Sequence, residues 1–275
     1  MSPLHPTEKV REQPQYQLLI KFANGNDGGA SHESTLDAFC EPVETRYMET
    51  TNPSDVEDLL WPTWQCLIAC AAATPHESEG QQKLVDLVLG LQHRPALEKD
   101  GEVCYVQEGA VWRDLPVFGW QMREAWNAAA SDSSEAESKQ HWININAWTA
   151  KLVSAAHARE ADKPDLSLYC IWTLRMAVET EEQPSNISLS AAAVWLIYAA
   201  PTIWEFCMQG KTFDGKVAKP GPRSSDQEWR GFTSERWETW MQRLISELDG
   251  QVSDGVTKQM VAQARRAMSD AHSER

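Results

Sequence analysis

Apolar residues recur along most of this chain at intervals of three and four, the spacing of one face of an α-helix. Leu36, Phe39, Val43 and Tyr47 show the pattern first, with Pro42 making the element irregular. Ser54, Asp55, Val56 and Glu57 have the form of a capping box, a hydroxyl at the cap and a carboxylate three residues on. Pro62 is expected to kink or split the helix that starts there, leaving 63–73 as a second helical piece. A helix is predicted over 81–91, and another from Asp114 (the cap, with Pro116 in the first turn) to about Ala129. An acidic, serine-rich start at 131–138 leads into a long helix through Ala156. Helices over 165–179, 189–208, 234–248 and 256–272 complete the pattern, with Trp237, Trp240, Leu244 and Leu248 sharing a face. The best strand is 103–106 (VCYV), which is too short to decide much. The pattern predicts an all-α fold, a single irregular domain of about eight or nine helices over residues 33–275. Residues 1–32 read as a loosely ordered N-terminal segment. A regular four-helix bundle is not expected, because Pro62, Pro116 and Pro201 interrupt the pattern.

Two segments stand apart. No residue from 187 to 204 is charged, so this run is tested as a membrane span. It is barely long enough, rich in Ala and Ser, and contains Pro201, which favours a central buried helix and no membrane. Residues 210–231 (GKTFDGKVAKPGPRSSDQEWRG) form the one long loop, rich in Gly and Pro and locally basic. Loops of this length commonly act as lids or binding segments.

Composition sharpens the picture. The chain carries 13 Trp against 5 Tyr and 6 Phe, spread through nearly every predicted helix. Indole is the bulkiest apolar side chain and brings one N–H that needs a partner when buried, so the core is expected to be Trp-rich. Forty acidic residues against 25 basic give a net charge of −15. Neither nucleic acid nor an anionic membrane surface is therefore expected as a partner. The polar, Pro-containing N-terminus has no apolar run after its basic residues. The six cysteines mostly sit inside apolar helical segments, as small core residues do. A reduced, cytoplasmic protein is expected.

No H-E-x-x-H, C-x-x-C, G-x-S-x-G, P-loop or dinucleotide-binding glycine motif is present. Cys66 and Cys70 lie one helical turn apart without a nearby histidine, and read as core rather than as zinc ligands. No metal and no cofactor are expected. The remaining candidates are polar groups inside apolar helices. Arg175 lies in LSLYCIWTLRMAV on the face of Leu168 and Trp172, one turn before Glu179. Its guanidinium cannot lose its charge and must find a partner, either Glu179, a neighbouring helix or a ligand. In HWININAW (141–148) Asn144 and Asn146 cannot both face solvent on a helix, so at least one bonds inside. His141 and His157 sit within or beside core helices and are read as core or surface histidines, as Glu235-Arg236-Trp237 is read as first-turn charge followed by core.

The stretches GAVWRDLPVFGWQMREAWN (109–127), ININAWTAKL (143–152), SLYCIWTLRMAVE (167–179), LSAAAVWLIYAA (189–200) and GFTSERWETWMQRL (231–244) belong together. Their order and spacing resemble a family of fungal proteins known only as a domain of unknown function, over roughly residues 50–248. The resemblance implies an all-α, cytoplasmic protein and transfers no catalytic residue. With it comes an association with fungal secondary metabolism. The expected function is a cofactor-independent small-molecule enzyme, of cyclase, isomerase or lyase type. A pocket-templated cyclisation or isomerisation of an apolar terpenoid or polyketide, including a cycloaddition of Diels-Alderase type, needs shape and a few hydrogen-bond donors. Arg175, Asn144 and Asn146 are the expected donors, and Trp148, Trp172 and Trp195 the expected walls. The alternatives are a protein-interaction module working through an exposed face or the 210–231 loop, and a protein that binds a hydrophobic metabolite.

Overall fold

The computed structural model describes residues 6–160, 163–249 and 254–273. It is all-α, with eleven α-helices and four two-residue strands among the described residues. By contact density the chain divides into two compact units, Met1–Ala129 with Gln140–Trp148, and Ala130–Lys139 with Thr149–Arg275.

In the first unit, α1 (Glu8–Arg11) and α2 (Pro14–Ala23) occupy the segment expected to be loosely ordered. Pro14 opens α2 at its first turn, and Tyr16, Leu19, Phe22 and Ala23 form a buried stripe at helical spacing. That stripe packs on α3 (His32–Thr50), α4 (Pro53–Ala73) and α5 (Glu79–His93). Three local expectations are corrected here. Pro62 does not split the helix: α4 runs through it unbroken, as α3 runs through Pro42. Apolar packing on either side of Pro62 (Leu60, Trp64, Leu67 and Ile68 are buried) holds the helix together despite the missing donor. The cap of α4 is Asn52 rather than Ser54, its side-chain oxygen accepting from the Ser54 N–H at 3.2 Å. Asp114 does not open a helix. Trp112, Leu115 and Val117 all have positive φ, so helical geometry begins only at α6 (Phe118–Asn127). The Asp114 carboxylate instead accepts from the Ala110 N–H at 2.8 Å. The VCYV segment contributes to two small antiparallel hairpins, β1 (Glu98–Lys99) with β2 (Glu102–Val103) and β3 (Tyr105–Val106) with β4 (Gly109–Ala110).

Trp64 is the centre of this unit's aromatic core. It meets Phe118 at 5.2 Å and Trp112 at 6.0 Å between ring centroids, both edge to face. Its indole N–H donates to the Pro116 carbonyl at 2.8 Å, which ties the strained 112–117 segment to α4. Residues 140–148 of α7 (Ala136–Ala158) also belong to this unit.

In the second unit, α9 (Asn186–Gln209) is the uncharged helix. By length and composition it could cross a membrane, but 83% of its apolar window is buried inside the protein. It is the central helix, with α8 (Ser167–Val178), α10 (Ser234–Asp249) and α11 (Gly255–Ser273) packed on it. Small residues explain the close match with α11: Ala191, Ala192, Ala193, Ala199 and Ala200 on α9 are all buried. Thr257, Val261, Ala264, Met268 and Ala271 make the buried stripe of α11 at spacings of four and three. Trp237, Trp240 and Leu244 of α10 are fully buried, while the side chain of Leu248 lies outside the described residues.

All six cysteines are buried and unpaired. Burial raises the Cys66 and Cys104 thiols to about 11 and Cys70 to about 12, and pushes Cys40, Cys170 and Cys207 higher still. The thiolate is the reactive form, so folded protein at about pH 8 is expected to leave a disulfide reagent almost untouched. Full reaction should occur only on adding denaturant. Fast labelling of the folded chain would contradict this packing.

Candidate functional site

The chemistry of the second unit is organised by two fully buried charges, Glu179 and Arg236. Glu179 is the residue that ends α8, and Arg236 lies in the first turn of α10. A carboxylate at a helix C-terminus and a cation at an N-terminus both oppose the helix dipole. Each is tolerated because the other neutralises it. Arg236 Nε donates to Glu179 Oε1 at 2.8 Å and Nη2 to Oε2 at 3.0 Å, a two-pronged pair. The other guanidinium donors reach the carbonyls of Ala218 (2.8 Å), Gly231 (2.9 Å) and Lys219 (3.4 Å). Glu179 also accepts from Trp240 Nε1 at 2.6 Å and from the Gly221 N–H at 2.7 Å. The Arg236 guanidinium lies 5.3 Å from the ring centroids of both Trp229 and Trp240.

This pair holds the 210–231 loop. At the loop's neck Phe213 N–H donates to the Arg230 carbonyl at 3.0 Å and Phe232 N–H to the Lys211 carbonyl at 2.8 Å. Further along, Trp172 Nε1 donates to the Val217 carbonyl at 2.8 Å, and Arg243 Nη2 to that of Arg223 at 3.2 Å. Gly221 passes so close to α8 that a Cβ there would lie 2.5 Å from the Glu179 carbonyl and 2.8 Å from Arg175 Cγ. The loop is thus a pinned rim.

Between that rim and α8 lies an open pocket of about 890 Å3. Its charged lining is Arg175, Lys216, Lys219 and Arg230 against the single carboxylate Glu228, with Trp229 as an aromatic wall. Arg175 is half-buried there. Its Nη1 reaches the Lys219 carbonyl at 3.3 Å, and no carboxylate pairs with it among the described residues. The Arg175–Glu179 pair allowed for by the sequence does not form, because Glu179 is committed to Arg236. Burial pulls the Arg175 guanidinium below its ordinary value, with nearby Glu179 opposing that shift and Arg236 adding to it. It remains a cation at neutral pH.

The six residues singled out from sequence fall into both units. Arg175 and Trp172 come together, one turn apart on α8, both against the loop. Trp195 is fully buried in α9. Trp148 is fully buried against Phe118, with ring centroids 6.2 Å apart. Asn144 is buried and works as a structural bracket. Its Oδ1 accepts from the His76 N–H at 3.2 Å and from Gln140 Nε2 at 2.9 Å, and its Nδ2 donates to the Ala72 carbonyl at 2.8 Å. Asn146, also buried, donates to the Trp142 carbonyl of its own helix at 2.8 Å. The expectation that at least one of these amides faces inward is met by both. His141 is buried, and His157 Nε2 pairs with Glu205 Oε2 at 2.6 Å. Among the described residues no group of three or more His, Cys, Asp or Glu is gathered to hold a metal ion. The residue that sequence reasoning passed over is Arg236. Its signal was present: a cation in a first helical turn, against the dipole, four residues before Trp240.

The model of the family described as "Protein of unknown function (DUF3632)" matches residues 64–244. The chain belongs to this family. The family region contains Arg175, Glu179, the whole loop and Arg236. No curated protein and no solved structure matches the chain.

Removing one member of a buried ion pair strands the other's charge. Arg236→Met is therefore expected to lower unfolding stability by about 3–5 kcal/mol. The double variant Glu179→Met/Arg236→Met should recover much of that loss. Urea unfolding followed by far-UV circular dichroism reads both. An unchanged midpoint for Arg236→Met would remove the pair as the anchor of this site.

Proposed function

We propose that this protein binds an acid-bearing small molecule in the pocket between α8 and the 210–231 loop. The observation that carries this reading is Arg175, a half-buried cation on the pocket wall with one long carbonyl contact and no carboxylate partner among the described residues. Such a group is stabilised by an anionic ligand, and a guanidinium presents a planar fork matched to carboxylate or phosphate. Two further features support it. The lining carries four cations to one carboxylate in a chain of net charge −15. The rim is already fixed by hydrogen bonds, so little ordering cost opposes binding.

This reading develops the binding alternative, with an anionic ligand in place of an apolar one. The pocket lining offers Glu228 as its one carboxylate and neither His nor Cys, which favours binding over proton-transfer chemistry. A cyclase or isomerase acting on an apolar terpenoid or polyketide is the reading it displaces. Small-molecule metabolism, with the fungal secondary-metabolic setting associated with the family, is retained as the proposed context. So is a cytoplasmic location.

Isothermal titration with phenylacetate, citrate and phenyl phosphate tests the proposal. At least one is expected to bind saturably. Losing a charge-assisted hydrogen bond costs about 1.5–3 kcal/mol, so Arg175→Ala should weaken binding by roughly ten- to a hundredfold. Circular dichroism should stay unchanged, and Arg175→Lys should keep part of the affinity. Absence of binding by all three anions would overturn the reading.

A further inference from the structure

We infer that the ligand of this pocket is a phosphate monoester of a small organic molecule, an assignment that rests on the anion-binding reading above. Charge points to it first. Arg175 alone could hold one carboxylate, yet Lys216, Lys219 and Arg230 line the same space. A phosphate monoester carries close to two negative charges at neutral pH and three acceptor oxygens. It can meet the Arg175 fork through two oxygens and still offer acceptors to the lysines. A monocarboxylate leaves most of that positive field unused.

Size and lining point the same way. A volume of about 890 Å3 is far more than an inorganic anion fills, and falls in the range of small-molecule sites. Pro220, Pro222 and Trp229 supply apolar surface beside the cations. An organic body attached to the phosphate would cover that surface. Among the charged groups of the lining donors outnumber acceptors, four cations to the one carboxylate Glu228, as a ligand that only accepts requires. The Lys219 carbonyl at the same wall already accepts from Arg236 at 3.4 Å. The shared phosphate chemistry could also come from a lipid headgroup. The strongly acidic chain opposes approach to an anionic membrane, so a soluble ester is assigned.

The test is the pH dependence of binding. The second ionisation of a phosphate monoester lies near pH 6, so the dianion rises from roughly a quarter to nearly all of the ligand between about pH 5.5 and about pH 7.5. The charged groups facing the pocket are Arg175, Lys216, Lys219, Arg230 and Glu228. Phenyl phosphate is therefore expected to bind about fourfold tighter at the upper pH. Phenylacetate, fully ionised throughout, should bind more weakly with no such change. Lys219→Ala should weaken phenyl phosphate more than phenylacetate.

Several results would overturn the assignment while leaving anion binding intact. They are equal affinity for the two ligands, citrate binding as tightly as phenyl phosphate, or a flat pH profile for the phosphate. Binding to phosphatidic acid vesicles without binding to the soluble ester would overturn the soluble source. Binding by none of the ligands would overturn both this assignment and the anion-binding reading.

Discussion

The second unit turns on the buried pair Glu179–Arg236. Each charge sits at the helix end where the backbone dipole disfavours it, and each is cut off from water. Neither could remain there alone. Together with three loop carbonyls, the Trp240 indole and the Gly221 amide, they satisfy every guanidinium N–H and bring both carboxylate oxygens into hydrogen bonds. A pair of this kind adds little net stability over well-packed apolar groups. What it adds is position. It fixes the end of α8, the start of α10 and the path of the loop at 218–221 with one set of contacts. Because Glu179 is taken by Arg236, Arg175 is left to face the pocket.

The tryptophans serve a related purpose. Their bulk fills the cores, but several also spend their one N–H on irregular backbone or on a carboxylate. Trp64 reaches the Pro116 carbonyl, Trp172 the Val217 carbonyl, Trp240 reaches Glu179 and Trp112 reaches Glu44. Segments with positive φ at non-glycine residues, such as 112–117, have no repeating ladder to hold them. An indole that is apolar enough to be buried and still carries a donor can pin such a segment from the core side. For these four tryptophans the fold itself uses both the bulk and the donor of the indole.

Much of the fold was legible in the sequence. The stripes of α5, α10 and α11 and the uncharged run of α9 set those helices, because periodic burial depends on local spacing. That at least one amide of α7 turns inward came from the same geometry. What misled was local chemistry that tertiary contacts override. Pro62 suggests a break, but packing on both sides of it keeps α4 continuous. Asp114 before a proline suggests a cap, but the strained turn beside it delays the helix by several residues.

The candidate site divides in the same way. The sequence by itself determined that Arg175 is a permanent cation in an apolar helix, that it must have a partner, and that a basic loop exists in an acidic chain. These are properties of residue type and neighbourhood. Only the tertiary structure decided which carboxylate goes to which cation. Glu179 is one helical turn from Arg175 and fifty-seven residues from Arg236, yet it pairs with Arg236. The choice is made where α8, α10 and the loop converge, since only there do the Gly221 amide, the Trp240 indole and three loop carbonyls complete the coordination of both charges. No spacing along the chain encodes that convergence.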